Sequence, residues 1–184
     1  MMDNLSYPQK QGLYDPFFEH DSCGVGFVVN VKGRKSHNIV RNGIQTLMNL
    51  SHRGATGSDP ATGDGAGILV QLPDLFFRNE VSKQHIELPT AGRYGVGLVF
   101  LPTKDDERAL CEEWIESIVY EEGQLFFGWR DVPHDLKKAG HVSRSAAPIF
   151  KQMFIGRGAG VPDQEAFERK LFLILKRAEH AVRP

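Results

Sequence analysis

The sequence predicts an α/β (α+β) domain in which short strands alternate with helices. Short apolar runs that stop at glycine or proline indicate strands, and longer stretches with apolar residues every three to four positions indicate helices. The resulting order, β-α-β-β-α-β-β-α-β, fits a layered arrangement. Glycine accounts for 19 of the 184 residues, and its clustering indicates tight turns around a site rather than a helical bundle.

The predicted strands are the apolar runs bounded by turn residues. They cover Gly24–Val31, Ala66–Leu72, Tyr94–Leu101, Gln124–Arg130, Ile149–Ile155 and Leu171–Leu175. Proline or glycine lies just past the end of several of them, as at Gly33, Pro73 and Pro102. These residues end strands because proline lacks a donor for the ladder and glycine favours turns.

The first predicted helix covers Asn38–Leu50, where apolar residues recur on one face and Gly54 is a candidate cap. Two further helices are expected, one from a Thr103/Asp106 capping box to Glu122 and one from an Asp163 cap to Arg169. The final residues, Lys176–Pro184, resemble the start of another helix. We therefore expect the chain to be a fragment that stops before its domain is complete.

Composition excludes several classes of protein. The formal net charge is −1, with 41% hydrophobic and 24% charged residues, which does not indicate a nucleic-acid or membrane partner. Two cysteines, Cys23 and Cys111, do not make a metal-binding spacing or a disulfide framework. The seven histidines are scattered, so no metal is expected. A cytoplasmic location is the expectation.

Cys23 is the strongest candidate for a reactive residue. A lone cysteine near a strand is most often a small buried apolar residue, but a polar, turn-rich leader ends here and a strand pattern begins. An N-terminal nucleophile takes this position once its leader is removed. A free α-amine, with a pKa of about 7.7–8.0, can then take the proton of a thiol whose pKa is about 8.5. With Ser22 still attached, that nitrogen is an amide and cannot act as a base.

A second pattern follows the first predicted helix. It consists of His52-Arg53-Gly54 and, further on, Gly63-Asp64-Gly65-Ala66-Gly67. Arg53 can brace the cysteine strand or a polar loop, and Gly54 lets backbone approach the thiol. A purely structural ion pair for Arg53 and a tight loop without ligand for the glycines remain alternatives. These glycines precede a strand with the wrong spacing for a dinucleotide fingerprint, so phosphate binding is not expected.

Together, the leader with Cys23 and the two later blocks resemble class II glutamine amidotransferases, in the form found in the glutamate synthase large subunit. The resemblance is close over residues 12–72 and looser beyond. It implies an N-terminal nucleophile hydrolase fold, a four-layer α-β-β-α sandwich, incomplete here at the C-terminus. It also implies a propeptide over residues 1–22, a partial glutaminase domain over 23–184, Cys23 as the catalytic residue, and pocket support from Arg53 and Gly54.

The reaction implied by the resemblance is hydrolysis of L-glutamine through a cysteine thiolate. The ammonia released would serve reductive amination of 2-oxoglutarate to glutamate elsewhere in the enzyme. No cofactor is expected in this chain, whereas FMN, an iron–sulfur cluster and NADPH, NADH or ferredoxin are implied for the full-length enzyme. The remainder of the synthase polypeptide and a small electron-transfer subunit are the implied protein partners.

The chain departs from the family pattern at the oxyanion site. Similar enzymes carry an Asn-Gly pair, an arginine and an aspartate on later elements, whereas Asn42-Gly43 here lies within the first predicted helix. Since one lost oxyanion donor costs about 10²–10³ in rate, we expect this chain alone not to hydrolyse glutamine. Two alternatives stay open: another class II amidotransferase, of phosphoribosyl or sugar-phosphate type, and a non-catalytic relic or interaction domain.

Overall fold

The computed structural model describes residues 10–12, 24–51, 54, 59, 61–63 and 65–182. The helices in this part are α1 (His37–Asn49), α2 (Asp74–Val81), α3 (Asp105–Glu121), α4 (His141–Ser145) and α5 (Gln164–Ala181), with a 3-10 turn at Ser82–Gln84. The strands are β1 (Tyr94–Leu101), β2 (Leu125–Asp131) and β3 (Ile149–Gly156). One compact unit runs to Leu69 and includes Lys138–Ser143, and the second comprises Val70–Lys137 and Arg144–Pro184.

The second unit is built on an antiparallel sheet in which β3 lies between β1 and β2. The pairing of β2 with β3 is interrupted between Phe126 and Gly128. Gly128 has a φ of +141°, and a Cβ there would lie 2.8 Å from Ile86 Cδ1. Both the backbone angle and the space therefore require glycine at this irregularity.

Apolar side chains of β3 point alternately to the two faces of this sheet. On one face, Met153 and Ile155 join a cluster with α3 and α5 that includes Ile115, Ile118, Val119, Val161, Phe167 and Ile174. On the other face, Phe154 packs with Phe77, Val81, Leu88 and Tyr94. Helices thus cover both faces of the sheet. Because successive side chains of a strand point to opposite faces, the position of each residue along β3 decides which cluster it joins.

Arg130 is the main charged group within this unit's interior, being only 6% exposed. Its guanidinium donates to Gln152 Oε1 at 2.8 Å and to Glu80 Oε2 at 2.8 Å. It also lies 5.7 Å from the centroid of the Phe76 ring. A buried cation is tolerated only when it is paired in this way, and the pairing ties β2 to α2 and β3.

Three of the six predicted strands are confirmed as β1, β2 and β3. The bounds of β1 are as predicted, and those of β2 and β3 differ by one residue at their ends. The predicted strand Leu171–Leu175 is wrong, because these residues lie inside α5. The Asp163 cap is confirmed, since its carboxylate accepts a hydrogen bond from Ala166 N at 2.8 Å. The helix continues past Arg169 to Ala181. The prediction failed here because a short apolar run does not by itself distinguish a strand from a buried helix.

Other expectations also need correction. Gly24–Val31 and Ala66–Leu72 are not assigned as strands in the described chain, because a ladder needs a paired neighbour. Thr103 does not cap α3, which begins at Asp105 after Lys104 and has no side-chain cap bond. Gly54 is not the cap of α1, which ends at Asn49 with Leu50 as its C-cap.

An ion-pair cluster links the end of α3 to α5. Glu122 accepts hydrogen bonds from Lys170 Nζ at 2.8 Å and from Arg177 Nη1 at 2.7 Å, and its side chain is 11% exposed. The hydrogen bond from Lys170, then that from Arg177, lowers the pKa of Glu122 below its ordinary value of 4.5. A carboxyl with a lowered folded-state pKa stabilises the fold above its unfolded pKa.

We predict that Glu122→Gln lowers the free energy of unfolding by about 1–2 kcal/mol at neutral pH. The difference from the parent protein should shrink as the pH falls through the lowered pKa, because Glu122 then becomes neutral as well. Urea unfolding at neutral pH and at about pH 3 measures both differences. The control is Glu121→Gln, which removes a more exposed partner of Arg177 and should have a smaller effect. An undiminished difference at low pH would contradict the charge-based explanation.

Candidate functional site

Of the three residues predicted to form the site, Cys23 and Arg53 lie outside the described residues, while Gly54 is described. Gly54 is exposed, and its backbone N–H donates to Ser51 O at 3.3 Å. This turn follows the end of α1. The surroundings of the site can therefore be built from Gly54, from the residues after Cys23 and from α1.

The segment that follows Cys23 packs closely on α1. A Cβ on Gly24 would lie 3.2 Å from Leu50 Cδ2, and a Cβ on Gly26 would lie 2.5 Å from Thr46 Cγ2. Moving forward along the segment thus means moving backward along α1, so the two run antiparallel. The approach at Gly26 is closer than any side chain allows, which explains a glycine at this position.

This packing brings together two described residues that are close in sequence to Cys23 and Arg53. Gly24 directly follows Cys23, and Leu50 is three residues before Arg53. A residue adds at most about 3.6 Å to the reach of the chain. The contact between Gly24 and Leu50 therefore brings the described neighbours of Cys23 and Arg53 together. The sequence did not predict this contact, although glycines alternating along an apolar run were a signal of close backbone approach.

The segment after the glycine-rich block also contacts α1. A Cβ on Gly43 would lie 2.7 Å from Ile68 Cδ1. As expected from the sequence, Asn42-Gly43 lies within α1. The helix is therefore in contact both with the segment that follows Cys23 and with the segment at Ile68.

Asp59 forms a turn inside this loop. Its Oδ1 accepts from Ala61 N at 3.0 Å, and its Oδ2 accepts from Thr62 Oγ1 at 2.9 Å. The backbone N–H of Ala61, followed by the Thr62 hydroxyl and the backbone N–H of Val142, lowers the pKa of Asp59. Aspartate followed by threonine three residues later is a common turn pattern, which is the one sequence signal for this arrangement.

A distant segment, Gly140–Ser143, binds the same turn. Gly140 N donates to Ala61 O at 3.0 Å. Two further backbone donors reach side chains: Val142 N donates to Asp59 Oδ2 at 3.3 Å, and Ser143 N donates to Thr62 Oγ1 at 3.3 Å. We call this set of contacts the Asp59 clamp. It joins residues more than 80 positions apart in sequence, which is why sequence patterns did not reveal it.

The second unit contains a groove of about 740 Å³ along β1 and α5. Its lining is mainly apolar, with Glu168 and Glu179 as its charged residues and no lysine or arginine among the described residues that form it. An amino-acid carboxylate requires a cationic or strong donor partner when it leaves water. This groove therefore does not fit a free amino acid.

The described part of the chain has neither a metal-binding group of side chains nor a membrane-spanning helix. No group of three His, Cys, Asp or Glu there could hold a metal ion. Within the same residues, the helices are too short or too polar to cross a bilayer. An iron–sulfur cluster needs four ligands, usually cysteines, and the whole sequence has two cysteines, so these residues do not fit such a cluster.

Comparison with known proteins gives the family. Residues 23–184 match the family described as "Glutamine amidotransferases class-II". The chain is 49% identical over 173 residues to "Glutamate synthase [NADPH] large chain" of Bacillus subtilis, covering 94% of this chain and 11% of that one. It is 36% identical to "Glutamate synthase [NADH]" of Schizosaccharomyces pombe, covering 95% of this chain and 8% of that one. It is 35% identical to "Ferredoxin-dependent glutamate synthase 2, chloroplastic" of Arabidopsis thaliana, covering 95% and 11%.

The chain thus spans about a tenth of the length of the curated relatives that it matches. Relatives named for different electron donors match over nearly the same part of the chain. What they share with it is accordingly the amidotransferase region. The chain belongs to the class II glutamine amidotransferase family.

Proposed function

We propose that this chain is part of the glutaminase domain of a glutamate synthase, with Cys23 as the N-terminal nucleophile after removal of residues 1–22. One observation carries the proposal: the family match begins at Cys23 and extends to residue 184. The names of the relatives support a synthase rather than a phosphoribosyl or sugar-phosphate amidotransferase. The amide nitrogen of glutamine would leave as ammonia for a synthase site elsewhere in the polypeptide.

The proposed chemistry uses the new α-amine of Cys23 as the base. The neutral amine takes the thiol proton, and the thiolate attacks the side-chain amide carbon of glutamine. Collapse of the tetrahedral intermediate breaks the C–N bond, and the departing nitrogen takes the proton from the ammonium group. Water then attacks the glutamyl thioester, releasing glutamate and restoring the thiol. The sum is glutamine and water converted to glutamate and ammonia.

Arg53 and Gly54 have supporting roles in this proposal. The contact of Gly24 with Leu50 supports a short path between the nucleophile and the turn after α1. Gly54 has no side chain to cover the thiol, and Arg53 offers a fork of donors for a carboxylate or a carbonyl. In the proposed fold, a four-layer α-β-β-α sandwich, the sheet of the second unit would form part of one β layer.

The wider assignments also belong to the proposal. FMN, an iron–sulfur cluster and NADPH, NADH or ferredoxin would act in the remainder of the synthase polypeptide, with a small electron-transfer subunit as a partner. This chain's own residues do not fit the cluster, so no step of the glutaminase chemistry is assigned to it. A cytoplasmic location is proposed on composition alone.

The first test is Cys23→Ala in the full-length synthase. Removing the nucleophile should lower the glutaminase rate on the order of 10⁴-fold, measured as glutamate formed from glutamine. Cys111→Ala is the matched control, because this second thiol lies on α3, and it should retain activity. N-terminal sequencing of the parent protein should find Cys23 first. Full activity without Cys23, or an intact leader on an active enzyme, would refute the proposed mechanism.

A second test uses the glycine that contacts α1. Gly26→Ala would place a Cβ 2.5 Å from Thr46 Cγ2, and the β-branched threonine cannot easily move within a helix. The displaced segment should misplace Cys23 and lower the glutaminase rate by about 10–100-fold. Adding Thr46→Ser removes the clashing methyl group and keeps the hydroxyl that donates to Asn42 O. The double variant should recover activity; equal loss in both would contradict this packing.

A further inference from the structure

We propose that Asp59 is a positioning residue for glutamine hydrolysis. Through the Asp59 clamp, it would hold the loop after Arg53-Gly54 in the conformation that the substrate pocket needs. The inference rests on the proposed function, because it assumes that this loop borders a glutamine site. It assigns a task to Asp59, Thr62 and Gly140, which had no role in the sequence-based prediction.

The described residues of the loop do not belong to an apolar core. Both apolar clusters found among the described residues lie in the second unit, with no member from the segment before Leu72. Among the described residues of the loop, Gly63 forms an isolated β-bridge, and none belongs to a longer strand or to an α-helix. In the described part of the loop, the hydrogen bonds to Gly140–Ser143 hold Asp59, Ala61 and Thr62 to a distant segment.

Gly140 provides a steric argument for the same conclusion. A Cβ at this position would lie 2.3 Å from Asp59 Oδ2, 2.3 Å from Thr62 Oγ1 and 2.8 Å from Ala61 C. Gly140 is buried and does not have a positive φ. Glycine is needed here for the close approach and not for its backbone angle. The backbone of Gly140–Ser143 can therefore reach the turn only because this side chain is missing.

The two oxygens of Asp59 have different partners. Oδ1 accepts from Ala61 N within the turn, whereas Oδ2 accepts from Val142 N across the clamp and from the Thr62 hydroxyl. In Asp59→Asn, the amide oxygen can keep the bond from Ala61 N, and the amide nitrogen then faces the Val142 N–H. Two donors face each other at that point, so the substitution weakens the clamp and preserves the bond from Ala61 N.

Thr62 allows the same separation with a matched pair of variants. Its Oγ1 donates to Asp59 Oδ2 and accepts from Ser143 N. Thr62→Val removes both bonds with almost no change in shape, while Thr62→Ser keeps the hydroxyl. A matched pair of variants also tests the steric contact. The added Cβ of Gly140→Ala would clash with three atoms of the turn, whereas that of Gly160→Ala would have no atom within 4 Å.

The experiment uses the full-length synthase and compares clamp-breaking with clamp-preserving variants. The first group is Asp59→Asn, Thr62→Val and Gly140→Ala, and the second group is Thr62→Ser and Gly160→Ala. Four quantities are measured: KM and kcat for glutamine hydrolysis, the alkylation rate of Cys23 by a glutamine-analogue chloromethyl ketone, and its alkylation rate by iodoacetamide. Iodoacetamide reports the reactivity of the thiol without requiring the glutamine pocket.

We expect the clamp-breaking variants to react about 10–100-fold more slowly with the glutamine analogue, with a raised KM and an almost unchanged rate with iodoacetamide. The clamp-preserving variants should match the parent protein. Equal slowing with both reagents would indicate general structural damage and would overturn the inference, as would parent-like behaviour of Asp59→Asn and Thr62→Val. A parent enzyme without glutaminase activity or analogue labelling at Cys23 would instead overturn the proposed function, and this inference with it.

Discussion

The central position of β3 is the constraint on which the second unit depends. Its backbone pairs with β1 on one side and β2 on the other, and its side chains supply apolar residues to both faces. A shift of one residue in its register would exchange Met153 and Ile155 with Phe154 across the sheet. The helices that flank the sheet, α2 on one face and α3 and α5 on the other, could then no longer bury their apolar residues against it.

In the described part of the first unit, backbone segments approach α1 closely at glycines. Gly24 and Gly26 let the segment after Cys23 lie directly on α1, and Gly43 lets Ile68 do the same from a different segment. A glycine costs conformational entropy on folding, so three of them at contacts with one helix imply that the approach itself is needed. For an N-terminal nucleophile, this arrangement would give the first residues of the mature chain a fixed support.

Charged side chains join segments that are distant in sequence in both units. Arg130 connects β2 with α2, and Glu122 connects the end of α3 with α5. Both side chains are largely buried, so their desolvation has to be offset by paired charges. Asp59 differs because its partners are backbone N–H groups and a hydroxyl, so it sets the path of the backbone rather than neutralising a buried cation.

The sequence by itself determined the local features of this protein. Apolar runs with clear boundaries identified Tyr94–Leu101 and the other two paired strands, and apolar spacing identified α1 and α3. Motif patterns at Cys23 and at His52-Arg53-Gly54 indicated the amidotransferase family, which the comparisons then showed. These signals are readable because each depends on residues close together in the chain.

The tertiary structure decided what depends on distant partners. Leu171–Leu175 became helical because α5 buries Phe167 and Ile174 against α3 and the sheet, a choice that five apolar residues cannot specify. The strand order β1-β3-β2, the Gly24–Leu50 contact and the Asp59 clamp all join residues far apart in sequence. Local propensity does not encode such contacts, because their free energy exists only once both segments are folded in place.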